Sequence, residues 1–296
     1  MTAEPMMVAI PAGGAGLFDG RYVWFRLRRS PLAMVGLVII VLVLLTMALA
    51  PLISPYDPNA LDLLHRLAAP GPQHWFGTDQ VGRDLLSRII WGSRTSVTVG
   101  FAIVGLSMSV GTVLGAFSGL AAGAIDTVIM RVMDVLLSFP AFVMAMALAA
   151  ALGPDLTNAM LAIAVVRIPF YVRLARGQAL SLRERPYVKA AETFGASRLH
   201  IVGRHIIPNA LAPIIVQSTL DIGVAILTAS ALSFIGLGAQ EPTAEWGAMV
   251  ASGRDFLLDQ WWYPTFPGLA ILVTAVGFNL LGDGLRDIFD PRLRGK

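Results

Sequence analysis

The chain has 296 residues, 56% hydrophobic and 14% charged, with a formal net charge of +3 and no cysteine. Soluble domains carry about 25% charged residues, so this composition points to a polytopic membrane protein and excludes disulfide frameworks, thiolate metal sites and cysteine nucleophiles. All but two of the 22 basic residues are arginine, and neither lysine, Lys189 or Lys296, stands in the G-x-x-x-x-G-K-[ST] setting that a phosphate-binding loop requires.

A helix needs about 20 mostly apolar residues to cross a bilayer. Thirty residues carrying Arg21, Arg26, Arg28 and Arg29 precede the first such run, Pro31–Ile53, which is free of charge. That run is longer than the ~7–15 residues of a signal-peptide core and is expected to stay as an anchor. The segment 54–94 is turn-rich at "SPYDPNA" and "APGPQHWFGTDQ". Within it, Leu85, Leu86, Ile89 and Ile90 alternate with Arg83, Asp84, Ser87 and Arg88. That spacing predicts a short amphipathic helix, lying on the outer membrane face or packed against the spans. The second span is expected in 95–125 and the third in 135–152, entered through "DTVIMRVMD". There Asp126, Arg131 and Asp134 cluster, and Arg131 and Asp134 can meet on one helix face. The fourth span is "LTNAMLAIAVVRIPFYVRLARG", interrupted by Arg167 and Pro169. The fifth, 209–240, is interrupted by Asp221. The last falls in 256–282, with a clean run from Gln260.

Six spans with the N-terminus inside place fifteen basic residues in the cytoplasm and five outside, as the positive-inside rule requires. The expected organisation is a cytoplasmic segment 1–30, a first helix 31–53, an extracytoplasmic segment 54–94, a five-helix transmembrane domain 95–286 and a cytoplasmic tail 287–296. Arg167 falls about 17 Å and Asp221 about 18 Å into their helices at 1.5 Å per residue, which is close to the midplane of a core about 30 Å thick. An arginine at that depth is costly and marks a functional site by default. The two are expected to be neighbours facing a path or a subunit interface, either to meet the carboxylate of a passing peptide or as a buried structural pair. The four histidines, His65, His74, His200 and His205, are expected in surface or packing roles.

A charged segment, "YVKAAETFGASRLHIVGRHIIPN", separates spans four and five. Pro186 suits the first turn of a helix. Val188, Ala190, Ala191 and Phe194 are expected to form one small apolar surface. Gly195 suits the residue after the helix, where positive φ is tolerated. Ser197 can cap a second helix, "RLHIVGRHII", which Pro208 is expected to terminate. Read from the residues alone, the segment is either a docking surface or an ordinary basic connector.

This stretch resembles the cytoplasmic coupling motif of ABC importer permeases, E-A-A-x3-G-x9-I-x-L-P. It matches at Ala190, Ala191, Gly195 and Pro208 and departs at Lys189, His205 and Ile207, where Glu, Ile and Leu are the family's residues. "FGTDQVGRDLLSRIIWGSRTSVTVG", "SFIGLGAQEPTAEWGAM" and "NLLGDGLRDIFDPRLRG" resemble the peptide/nickel subgroup. "NAMLAIAVVRIPFYVRLARGQAL" and "LDQWW" resemble permeases for D,D-dipeptides.

The resemblance implies an all-α, six-helix, type I ABC importer permease fold with coupling helices in 183–208. Lys189, Ala190, Ala191, Glu192, Phe194, Gly195, Ala196 and Pro208 would then engage an ATPase. It implies no enzyme and no cofactor in this chain, ATP and Mg being held by two partner ATPases. It also implies a homologous second permease, an extracytoplasmic binding protein, contact with membrane lipid, no nucleic acid, and a bacterial inner-membrane location with both termini cytoplasmic. The expected cargo is a dipeptide or short peptide, the alternatives being nickel chelates, glutathione or opine-like compounds. A membrane-embedded enzyme or an independent secondary transporter is the competing class.

Overall fold

A computed structural model describes residues 20–289; Arg292, Arg294 and Lys296 of the expected tail, and the side chain of Arg21, lie outside the described residues. The described residues begin with helix α1 (Gly20–Arg29), which breaks at Ser30, whose hydroxyl oxygen accepts from the Ala33 N–H. It continues with α2 (Pro31–Ile53), the expected first span. Proline at the first helical position loses no intrahelical bond. One face of α2 packs on the last helix, while Leu32, Val35, Val38, Leu42, Leu45 and Leu49 remain exposed, as suits a helix bathed in lipid.

The helix after segment 54–94 is not a separate surface element. It opens at Asp84, whose carboxylate accepts from the Ser87 N–H. It then runs unbroken as α3 (Leu85–Ala121), 37 residues and about 55 Å long. Leu85 and Ile90 are buried, but so are Arg83, Asp84, Ser87 and Arg88. The polar stripe reads as water-facing in the sequence because its partners are distant. Here segment 54–94 supplies them: the Tyr56 N–H donates to Ser87 Oγ, and Arg88 donates to the Pro58 carbonyl.

α3 stops four residues short of the expected end, because Ala122 and Gly123 both turn with positive φ. The third span is not a single helix either. α4 (Gly123–Leu137) and α5 (Ala141–Leu152) meet at 88°. Pro140, at the start of α5, has no N–H to continue the ladder from α4. α6 (Leu156–Leu182) carries Arg167 and Pro169 without breaking and packs along α3. Three glycines one turn apart permit the approach: a Cβ on Gly111 would stand 2.4 Å from Tyr171 Cβ, and one on Gly115 only 2.2 Å from the Val172 carbonyl oxygen. On Gly119 it would lie 2.7 Å from Ala179 Cβ. Small residues at this spacing are how membrane helices gain backbone-close packing.

α7 (Pro186–Thr193) and α8 (Arg198–Ile201) follow. Pro208 does not end the second of these. The chain widens into one π turn, Val202–Ile206, and passes directly into α9 (Ile207–Phe234) with Pro208 in its first turn. The π turn closes with the Ile207 N–H on the Val202 carbonyl, and Pro208, which has no N–H to give, follows directly after it in the first turn of α9. A short α10 (Trp246–Gly253) precedes α11 (Trp262–Phe289), which begins six residues later and ends seven later than the expected span. Among the described residues, five helices or helix runs are long and apolar enough to cross a membrane, and the bent α4–α5 pair makes six.

Candidate functional site

The segment between α6 and α9 is built on a small buried cluster. Val188 is fully enclosed with Ala116, Leu120, Ala179, Ile201, Val202 and Ile206, while Ala191 and Ala196 pack on its edge. α7 ends in a two-bond stop: the Ala196 N–H reaches the Ala191 carbonyl at 3.0 Å and the Gly195 N–H reaches Glu192 at 2.9 Å. This stop needs a left-handed residue, and Gly195 has φ +78° with open space around it. Ser197 then caps α8 by accepting from the His200 N–H.

The four residues expected on one apolar surface are therefore divided. Val188 and Ala191 face the cluster, whereas Ala190 and Phe194 face out, because the buried stripe of so short a helix spans little more than one residue per turn. Phe194 is 90% exposed and Leu199, a neighbour the sequence reading passed over, is 75% exposed. Lys189, Ala190, Glu192, Gly195 and Pro208 are exposed around them. Lys189 bonds Glu184 at 2.8 Å, which holds the Glu184 carboxyl below its ordinary range. Phe194 and Leu199 are thus two large apolar side chains on an otherwise polar and charged stretch of surface.

The second candidate lies in the middle of α6 and α9. Arg167 and Asp221 are neighbours, as their depths predict. Arg167 Nε donates to Asp221 Oδ2 at 2.8 Å, and a second guanidinium nitrogen pairs with Oδ1. The Tyr171 hydroxyl donates to the same carboxylate at 2.9 Å. Asp221 is 2% exposed and the Arg167 side chain 22%. Tyr171 was legible: it stands four residues after Arg167, on the same helix face.

Other charges pair differently from expectation. Asp134 does not meet Arg131 but Arg173 of α6, at 2.6 Å. Asp126 takes a bidentate bond from Arg176, at 2.6 and 2.7 Å, and one from the Ser118 hydroxyl at 2.5 Å. Both acids of α4 are thus paired with arginines of α6 and not within their own helix. His65 pairs with Asp62 and His74 with Asp84, while His200 and His205 approach each other in an edge contact.

Just before α3, Arg83 bridges Asp79, at 2.5 Å, and Glu241 of the loop after α9. Arg88 donates to the Pro58 and Pro242 carbonyls. Burial pushes the Glu241 carboxyl up, but the bond from Arg83 and the charges of Arg83 and Arg88 outweigh it, so its pKa lies below the ordinary glutamate value. The sequence reading missed this network: its two halves are 158 residues apart and no local spacing connects them.

Residues 111–295 match the family described as the binding-protein-dependent transport system inner membrane component, and residues 20–70 match the N-terminal TM domain of oligopeptide transport permease C. The chain is 59% identical to the probable D,D-dipeptide transport system permease protein DdpC of Escherichia coli (strain K12), over 94% of each chain. It is 44% identical to the dipeptide transport system permease protein DppC of Alkalihalophilus pseudofirmus, over 99% of this chain and 97% of that one. It is 41% identical to the glutathione transport system permease protein GsiD of Escherichia coli O6:K15:H31, over 92% and 90%.

Proposed function

The chain belongs to the binding-protein-dependent transport system inner membrane component family, and on that footing we propose that it is the transmembrane permease subunit of an ATP-driven importer for dipeptides or short peptides, with D,D-dipeptides as the cargo. The 59% identity to a D,D-dipeptide permease across 94% of both chains carries this reading. The lower identity to the glutathione permease ranks that cargo second.

In this reading the subunit pairs with a homologous second permease in the bacterial inner membrane. Two ATPases hold ATP and Mg, and an extracytoplasmic binding protein delivers the peptide. Both termini and residues 183–208 lie in the cytoplasm, and 54–94 lie outside. The outward face of α7 and α8, with Lys189, Ala190, Glu192, Phe194, Gly195 and Leu199, docks the ATPase, while Ala191 and Ala196 support it from beneath and Pro208 sits at its edge. The exposure of Phe194 and Leu199 supports this assignment. ATP-driven closure moves the segment, and the spans alternate between inward-open and outward-open arrangements. Arg167 and Asp221 stabilise the spans beside the path or the interface between permeases.

The test is reconstitution of the complete importer in proteoliposomes. Uptake of a D,D-dipeptide and its stimulation of ATP hydrolysis are expected only with all subunits present. Transport by this chain alone, or stimulation by glutathione and not by dipeptides, would overturn the proposal.

A further inference from the structure

We infer that α1 is a headgroup-binding surface for anionic phospholipids of the cytoplasmic leaflet; the leaflet follows from the topology proposed above. α1 reads GRYVWFRLRR, ten residues with four arginines and no acid, placed immediately before a membrane span. Among its described side chains, Leu27 is the buried one, packed with Ala33 and Ile288. Trp24 and Phe25 are exposed. Arg28 lies over the Trp24 ring, 4.6 Å from its centroid, and Arg29 over the Phe25 ring at 4.2 Å.

This pairing is specific in what it offers. Stacking uses the face of a guanidinium and leaves its in-plane N–H donors available along the edge, the geometry that takes a phosphate oxygen pair. Tryptophan and phenylalanine beside those arginines suit the boundary between headgroups and acyl chains. Leu27 anchors α1 to the ends of α2 and α11, so its depth is fixed by two spans and not by its own affinity. The partner that fits a positive, aromatic, acid-free strip at that depth is an anionic lipid headgroup with its chains lying against Trp24 and Phe25. Each basic residue near such a surface adds about a fivefold attraction, so Arg28 and Arg29 together give roughly thirtyfold enrichment.

The complete importer is reconstituted in nanodiscs of phosphatidylcholine with about one lipid in ten phosphatidylglycerol, the brominated chains being on one lipid or the other. Trp24 emission is isolated by subtracting a Trp24→Phe variant. Enrichment on the order of thirtyfold makes brominated phosphatidylglycerol the stronger quencher despite its low abundance. The Arg28→Gln/Arg29→Gln variant, which keeps good helix formers, should return quenching to bulk abundance. Wild-type quenching that already follows abundance overturns the proposal, as does a Trp24 that no brominated lipid quenches because protein covers it. Labelling of a cysteine at Asp62 from either side judges the topology separately.

Discussion

Ala190 and Ala191 are adjacent, yet one side chain faces solvent and the other lies half-buried on the Val188 cluster. The distinction sets the experiment. Ala190→Arg is expected to leave the subunit inserted and assembled while substrate-stimulated ATP hydrolysis falls at least about tenfold, a loss of about 1.4 kcal/mol in coupling. Ala191→Arg should in addition lower the recovery of folded subunit, because its charge meets an apolar cluster. Unchanged ATPase stimulation in Ala190→Arg removes α7 from the interface. Arg167 calls for a paired design. Removing it alone strands the Asp221 carboxylate in a buried site, a loss of about 3–5 kcal/mol for a broken buried pair. We expect Arg167→Ala to reduce recovery of assembled complex, measured by size-exclusion yield and thermal melting. Arg167→Ala with Asp221→Asn should recover most of it, since Tyr171 can still donate to the amide oxygen. Uptake by that double variant then separates the roles: normal uptake assigns the pair to structure, and lost uptake in an assembled complex assigns it to the path.

At the scale of elements, the α3–α6 seam brings the two helices close through Gly111, Gly115 and Gly119, and Gly115 is the tightest of these three points. A valine there would place Cβ 2.2 Å from the Val172 carbonyl oxygen, so the helices must separate, at a cost of about 1–3 kcal/mol or more. Membrane-inserted yield of Gly115→Val is expected to fall sharply, while Gly105→Ala, on the same helix with nothing within 4 Å of the new Cβ, should be silent. Equal yields would remove the seam as a determinant of stability. The spans themselves were legible because charge-free runs and their lengths are local properties, and the Arg167–Asp221 meeting was legible because depth is counted in residues. What was hidden depended on distant partners or on turns. The buried polar stripe of Arg83, Ser87 and Arg88 looks water-facing until segment 54–94 and Pro242 are placed beside it. The 88° bend at Pro140 lies inside an apolar stretch, where hydropathy reports burial but not direction. Pro208 reads as a stop, yet it stands directly after the π turn in the first turn of α9.

For the whole molecule, the decisive quantity is which face of the membrane each end occupies. The cysteine-free chain makes this direct. A cysteine replacing Asp62, whose side chain is 44% exposed, should react with an impermeant thiol reagent applied from outside, and one replacing Ser181, exposed at the end of α6, should react only after permeabilisation. The reverse pattern would invert the proposed orientation. The merger of α8 with α9 has a mechanical consequence at this scale. From Arg198 to Phe234 the backbone is one helical strut of 37 residues, about 55 Å long. Its lower end carries Leu199, its middle carries Asp221, and its upper end leads into the loop that Arg83 and Arg88 hold by Glu241 and Pro242. A push at one tip is felt at the other along a single axle. Its yielding points are the π turn, where one surplus residue can be wound in or out as a screw thread advances, and Pro213.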